Sequence, residues 1–257
     1  MIVQHTLRPG NPGRTPLVLL HAFPVDARMW SGLAPLVSDG TPVLAFDLPG
    51  MGAAGLPDAR TDATPSVEAA ADAVAAALPG PAVIAGLSMG GYVALALAER
   101  HPQLVAGLAL LDTKAVADTD EAAAHRRRIA DEAERTGSVD PVRGMARSLL
   151  GATTLAERPA LVDVVTGWID DQAPAGIAWS QRAMAARPDR TAVLRGWTAP
   201  ALVLVGAEDG PTPPEQAELM AAELGVTAVV VPAAGHLTAV EQPEAVAGAL
   251  NDLLARL

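Results

Sequence analysis

Cysteine is absent from the 257 residues, which removes disulfides, thiolate metal sites and cysteine nucleophiles together. It leaves the redox compartment undetermined. Aromatic residues make up only 3% of the chain, and Lys114 is its only lysine. Arginine therefore carries nearly all the positive charge, a usage that fits a GC-rich coding sequence better than a special physical role. Positive charge is itself scarce: 18 Lys and Arg against 29 Asp and Glu give a formal net charge of -11. Such a surface repels phosphate backbones unless basic residues are gathered in one patch. The one tight basic run, Arg126-Arg127-Arg128, stands among Asp and Glu and reads as a solvated helix face, so nucleic acid is not an expected partner. No apolar run approaches the roughly 20 residues needed to cross a bilayer. The segment Met1 to Gly10 lacks the basic and apolar regions of a signal peptide. A soluble, cytoplasmic protein is the expectation.

Half of the residues are apolar, ample for one large core. Short runs rich in Val, Leu or Ile recur at Leu17–His21, Val43–Asp47, Ala82–Leu87, Val105–Leu111, Ala201–Val205 and Thr227–Val231. Brief continuous apolarity is the pattern of strands buried on both faces. Helical patterns alternate with them. Ser66–Leu78 starts at a capping Ser and ends at Pro79-Gly80, Gly90–Arg100 stops before Pro102, and Pro243–Leu257 opens with a first-turn Pro. Such alternation predicts a parallel sheet flanked by helices. One segment breaks it. From about Thr113 to Thr198 there is no strand pattern, and helices are predicted over Asp118–Arg135, Pro141–Leu150, Glu157–Ile169 and Ala173–Ala186. The expected organisation is a core of residues 1–112 and 199–257, with a helical lid of residues 113–198 over the sheet's C-terminal edge, where open α/β sheets bind ligands. Trp168, Trp179 and Trp197 fall in that segment or at its end, either gluing its helices to the body or lining a pocket.

Gly86-Leu87-Ser88-Met89-Gly90 follows a strand pattern and opens a helical one. The five residues alone are a weak signal. Their context is stronger, because a serine on a sharp strand-to-helix turn needs small neighbours two positions away, and Gly86 and Gly90 supply them. Ser88 is the candidate nucleophile, with a helix N-terminus behind it to favour a developing oxyanion.

Five histidines compete for the role of base. His5 lies in a segment expected to fray, and His101 sits at a helix end where it would cap carbonyls. His125 belongs to a charged helix, and His21 ends a strand in a loop with another expected role. His236 follows Thr227–Val231 through Pro232-Ala233-Ala234-Gly235, a loop able to carry an imidazole to Ser88. Asp209, in the turn-forming run after Ala201–Val205, is the candidate orienting carboxylate, and the order Ser, Asp, His is that expected of a nucleophile elbow. Glu208 beside it would point elsewhere. The rival is Asp112, which ends a strand at the same edge and would otherwise cap the following segment. Met89 and Phe23 are the candidate N–H donors of an oxyanion hole, with the Phe23 ring then lining the acyl pocket.

His21-Ala22-Phe23-Pro24, Asp47-Leu48-Pro49-Gly50-Met51-Gly52, Gly86-Leu87-Ser88-Met89-Gly90-Gly91, Gly206 to Pro213 and Gly235-His236 follow one another in an order that resembles the α/β-hydrolase superfamily. Within it the chain is similar to small bacterial carboxylesterases and 3-oxoadipate enol-lactonase-like serine hydrolases. The resemblance covers nearly the whole chain and is weakest across the lid. It implies an α/β fold with a mostly parallel sheet of about seven strands, one short strand (Ile2–Leu7) replacing the usual N-terminal pair, and a lid inserted after the sixth family strand. It also implies Ser88, Asp209 and His236 as triad and Phe23 and Met89 as oxyanion hole. The chain departs from the family pattern at Ala22, where Gly is usual.

The expected reaction is hydrolysis of a carboxylic ester or lactone through an acyl-enzyme on Ser88. No metal or organic cofactor is expected, because no cluster with ligand spacing occurs. The expected partner is a small-molecule substrate, with no nucleic acid and no membrane, and the oligomeric state stays open. The same triad would serve an enol-lactonase, thioesterase or perhydrolase. A hydrolase-fold binding or receptor-like protein with slow turnover is the reading from a different class. Haloalkane dehalogenation would need Asp at position 88. Arg143 and Arg147 are spaced to share a helix face and clamp a substrate carboxylate; the plainer reading is a solvated face beside an apolar pocket.

Overall fold

The computed structural model describes residues 2–58 and 64–257. Seven strands form one sheet: β1 (Val3–Arg8), β2 (Leu17–Leu20), β3 (Val43–Asp47), β4 (Ala82–Leu87), β5 (Val105–Leu111), β6 (Ala201–Gly206) and β7 (Val229–Val231). Their order is β1-β3-β2-β4-β5-β6-β7. Only β1 is antiparallel, pairing Val3 with Asp47, and every other neighbouring pair is parallel. The mostly parallel seven-stranded sheet expected from the sequence is present. Leu17 to Leu20 and Ala82 to Leu87 are buried throughout, which explains their unbroken apolarity. The two edge strands, β1 and β7, depart from that pattern, and β1 carries polar residues. Strand β7 is three residues long with Val229 and Val230 exposed, because it forms one edge of the sheet and has a neighbour on one side alone.

The strand order positions the site. From β2 the chain steps to β3 on one side, and the following strand, β4, lies on the other side of β2. The loops leaving the C-terminal ends of β2 and β4 therefore diverge, and a crevice opens between them.

Helices α1 (Val67–Ala77) and α2 (Met89–Arg100) follow β3 and β4. The Ser66 hydroxyl caps α1 by accepting the Ala69 N–H at 3.1 Å. Between β5 and β6 the described residues form seven helices and no strand. They are α3 (Asp120–Thr136), α4 (Asp140–Arg143), α5 (Met145–Ser148), α6 (Ala152–Glu157), α7 (Ala160–Asp170), α8 (Pro174–Ala186) and α9 (Thr191–Arg195). One predicted helix is broken in two, since Gly144 divides Pro141–Leu150. The helix predicted over Glu157–Ile169 begins only at Ala160, after Pro159 at its N-cap, with α6 before it absent from the sequence reading. After β6 come α10 (Pro214–Leu224), absent from the sequence reading, then α11 (Thr238–Glu241) and α12 (Pro243–Leu254).

Ion pairs around Asp118 knit the inserted segment together, and two of its arginines tie it to the body. Asp118 receives Lys114 at 3.2 Å, Arg126 at 2.7 Å and Arg187 at 2.8 Å. Arg187 also lies 4.0 Å over the Tyr92 ring on α2. Arg190, buried beyond the end of α8, reaches Glu99 at 2.9 Å and also Glu68. Arg126 of the basic run is thus an anchor and not a solvated charge. Burial opposes ionisation of Asp118, but the Arg187 hydrogen bond and the two guanidinium charges outweigh it and hold the carboxyl well below the ordinary 3.8.

Removing one partner of a buried ion pair typically costs about 3–5 kcal/mol, and about 2–4 °C of Tm accompanies each kcal/mol in a domain of this size. Asp118→Asn is therefore expected to lower Tm by roughly 6–20 °C at neutral pH. A carboxyl with a depressed pKa stabilises fully above its unfolded value and loses that contribution as pH falls towards the folded one. The gap between wild type and Asp118→Asn should hold from pH 7 down to the ordinary value of 3.8 and shrink only in stronger acid, as read by thermal unfolding.

Candidate active site

Ser88 stands between β4 and α2 with φ 54° and ψ -111°, a left-handed conformation rare for a residue with a side chain. Its N–H donates to Leu111 O at 2.9 Å, and its carbonyl accepts the Thr113 hydroxyl at 2.8 Å. The neighbours leave no space. A Cβ on Gly86 would meet Gly90 O at 2.1 Å, and one on Gly90 would meet Leu20 O at 2.1 Å. Gly91 is closed by the Thr113 side chain at 2.5 Å. The turn holds its strain because β2, β4 and α2 meet backbone to backbone, leaving Ser88 partly exposed among buried residues.

Asp209 and His236 leave the C-terminal ends of β6 and β7 and meet in the interior, 4% and 3% exposed. His236 Nδ1 is 2.9 Å from each Asp209 carboxylate oxygen. A carboxylate can only accept, so Nδ1 carries a proton, which leaves Nε2 as the ring nitrogen able to accept in the neutral imidazole. Thr212 completes the carboxylate's partners, donating its N–H at 2.9 Å and its hydroxyl at 2.8 Å. That residue was missed in the sequence, although Asp209-Gly210-Pro211-Thr212 has the composition of a turn in which Asp accepts a later backbone N–H.

Asp112 does not contact the imidazole. It is fully buried, with φ 45°, and accepts the Gly206 N–H at 2.8 Å and the Thr238 hydroxyl. Burial, and then the nearby Asp209 charge, push its carboxyl well above the ordinary value, so a second full charge beside Asp209 is disfavoured. It pins β6 and the His236 loop together instead of capping the next segment. Glu208 turns to the inserted helices, accepting the Thr153 N–H at 2.9 Å and the Thr153 hydroxyl.

The loop after β2 is fixed by His21. Its Nδ1 donates to Ala22 O at 2.8 Å and its Nε2 accepts the Leu48 N–H at 3.0 Å, while burial lowers its pKa. The Phe23 ring is buried, and among the described residues neither the Phe23 N–H nor the Met89 N–H has an acceptor. Ala22 fits without exposure, its N–H directed at the Met29 sulfur at 3.3 Å. The remaining histidines of interest are structural. His5 is held in β1 by Asp47 at 2.8 Å instead of fraying, and His101 pairs with Asp72 at 2.7 Å instead of capping carbonyls. Arg143 is exposed and paired with Asp170 at 2.8 Å, across the Gly144 break from Arg147, so the two do not share a continuous helix. Among the described residues no group of three or more His, Asp or Glu is placed to hold a metal ion.

Comparison with known proteins identifies the family. Residues 17–249 match the model of the alpha/beta hydrolase family. The chain belongs to that family. It is 32% identical over 258 residues to a pimeloyl-[acyl-carrier protein] methyl ester esterase of Neisseria meningitidis, covering 92% of each chain. Among solved structures it is similar to a thermophilic esterase from Thermogutta terrifontis, with TM-score 0.90 and 36% identity over 99% of this chain and 93% of that one. The enol-lactonase from Burkholderia xenovorans shares the fold at TM-score 0.84 and 24% identity, over 99% and 96% of the two chains. The turn at Ser88 depends on its glycines. Gly90→Ala is expected to lower the soluble yield or Tm sharply, because its Cβ would meet the Leu20 carbonyl, whereas Gly80→Ala, with nothing within 4 Å, should unfold close to wild type. Thermal unfolding of the two variants side by side checks this.

Proposed function

We propose that the protein is a serine hydrolase of carboxylic esters or lactones, with Ser88 as nucleophile, His236 as base and Asp209 as its orienting acid. The observation that carries the reading is the buried Asp209–His236 pair, at 2.9 Å, on the sheet edge where Ser88 occupies its strained turn. With Nδ1 committed to Asp209, Nε2 takes the Ser88 proton as the oxygen attacks the ester carbonyl. The Phe23 and Met89 N–H groups stabilise the oxyanion, and the α2 N-terminus adds its dipole. His236 returns the proton to the leaving alcohol, then activates water to release the acid. Residues 113–198 serve as a lid that shapes the acyl pocket, with Trp179 and Met184 buried on α8 among its apolar side chains. The esterase relatives favour esters with small alcohol groups as first substrates.

Ser88→Ala should abolish ester turnover with the fold intact, and a fluorophosphonate should label wild type at Ser88. Labelling elsewhere, or undiminished turnover, contradicts the nucleophile. Asp209→Asn should lower kcat by about 10⁴-fold, the loss that follows when the imidazole is held in the wrong tautomer. Asp112→Asn should cost less than about tenfold, since Asp112 does not touch the imidazole and Asn keeps an oxygen for its backbone and hydroxyl donors; steady-state kinetics of the two decide between the carboxylates.

Substrate charge gives a second check. Because Arg143 is committed to Asp170, a neutral acyl ester should have a higher kcat/KM than its carboxylate-bearing analogue, and Arg143→Ala/Arg147→Ala should leave that ratio unchanged. A wild-type preference for the anionic ester that disappears in the double variant would make the lid arginines a substrate clamp.

A further inference from the structure

The loop that carries His236 is held by a residue outside the Ser88, Asp209 and His236 set. Glu241 ends α11 and is 1% exposed. One carboxylate oxygen accepts the Gly235 N–H at 3.0 Å and the Leu237 N–H at 3.2 Å. The other accepts the Gly151 N–H, from the inserted segment, at 2.8 Å. The His236 N–H between them donates to Leu149 O at 2.9 Å. Three consecutive peptide N–H groups of the base loop are thus fixed, two by one carboxylate and the third by the inserted segment. Gly235 and Gly151 touch closely enough that a Cβ on Gly235 would lie 2.3 Å from Gly151 N.

Among the described residues no cation pairs with this carboxylate. Arg158 bonds the Glu241 backbone carbonyl, and the side chain is satisfied by peptide N–H groups alone. A buried carboxylate without a counter-charge is costly unless several hydrogen bonds replace water. Its three bonds all fall on the base loop and on the segment packed against it. Asp209 restrains the imidazole ring; nothing in that contact fixes the backbone from which the ring projects. Glu241 restrains the peptide on each side of it.

We infer that Glu241 is a positioning residue for the base: its buried carboxylate fixes the peptide groups flanking His236 and registers them on the inserted segment at Gly151. The inference rests on the proposed role of His236. A base displaced by about 1 Å loses on the order of 10²-fold in rate, without change in substrate contacts. Loss of Glu241 should therefore appear in kcat, and in the reactivity of Ser88 towards a fluorophosphonate, and not in KM.

The test compares Glu241→Gln, Glu241→Ala and Ser88→Ala with Val74→Ala, a core substitution on α1 far from the base loop in sequence. Each is assayed on a neutral short-chain ester at least about 20 °C below its own Tm. Glu241→Ala is expected to lower kcat and the fluorophosphonate labelling rate together by about 10–100-fold with KM within about threefold. Glu241→Gln, which keeps one oxygen for two of the three N–H groups, should lose less and so rescue part of the rate. Val74→Ala should lower Tm and leave kcat within about twofold. The inference is overturned if a folded Glu241→Gln and Glu241→Ala both keep wild-type kcat, or if Val74→Ala loses as much kcat for the same loss of Tm. Should Glu241→Ala not fold, Glu241→Gln alone decides: reduced kcat and labelling at unchanged KM support the inference, and wild-type values overturn it. Ser88→Ala separates the two levels. If it is inactive while every folded Glu241 variant is wild type, only the role of Glu241 falls; if it retains turnover, the serine-hydrolase reading and the role of Glu241 fall together.

Discussion

Backbone meets backbone at the turn after β4, and everything at the site depends on that contact. Hypothetical Cβ atoms on Gly86 and Gly90 would both lie 2.1 Å from a carbonyl oxygen, one in α2 and one in β2. No side chain separates the central strands from the helix that follows. Ser88 is consequently held at φ 54° without room to relax. The same contact brings the loop after β2 beside the start of α2, so the N–H groups of Phe23 and Met89 belong to one crevice at the point where the sheet reverses its winding direction.

The inserted helices are part of that construction. They are bound to the body by Arg187, which stacks on Tyr92, and by Arg190, which pairs with Glu99, and a second attachment lies at the loops carrying Glu208 and His236, through Leu149, Gly151 and Thr153. A third joins Gln172 to Asp26 at 2.8 Å and to the Gly52 N–H at 2.8 Å, linking the turn before α8 with the loops after β2 and β3. Moving the segment as a whole would break buried polar contacts next to both His236 and the loop after β2. Such contacts are expensive to leave unpaired, so the segment is held against swinging away as a unit.

Much of this was legible in the sequence, for identifiable reasons. Val43–Asp47, Ala82–Leu87 and Val105–Leu111 were read to the residue because interior parallel strands are apolar throughout and end at Gly, Pro, Asp or Ser. The Gly-x-Ser-x-Gly turn was legible because its steric demand leaves few alternatives to glycine. The start of β7 was misjudged because an edge strand is less constrained. The helix at Pro214–Leu224 had an inward stripe of Ala217, Met220 and Ala221, weak because alanine also suits exposed helix positions. Polar pairings were out of reach for a different reason. His5 with Asp47, Asp112 with Thr238 and Glu241 with Gly151 join residues 42, 126 and 90 positions apart, and no local pattern encodes which acceptor a buried donor will meet.

The central claim is that the strained turn at Ser88 presents an oxygen that becomes acylated. Rapid acid quench of the protein with a reactive short-chain ester, followed by peptide mass spectrometry, tests it most directly. An acyl group is expected on the peptide containing Ser88, appearing before steady state and vanishing after the ester is exhausted. An acyl group that accumulates on a different side chain during turnover would contradict the claim.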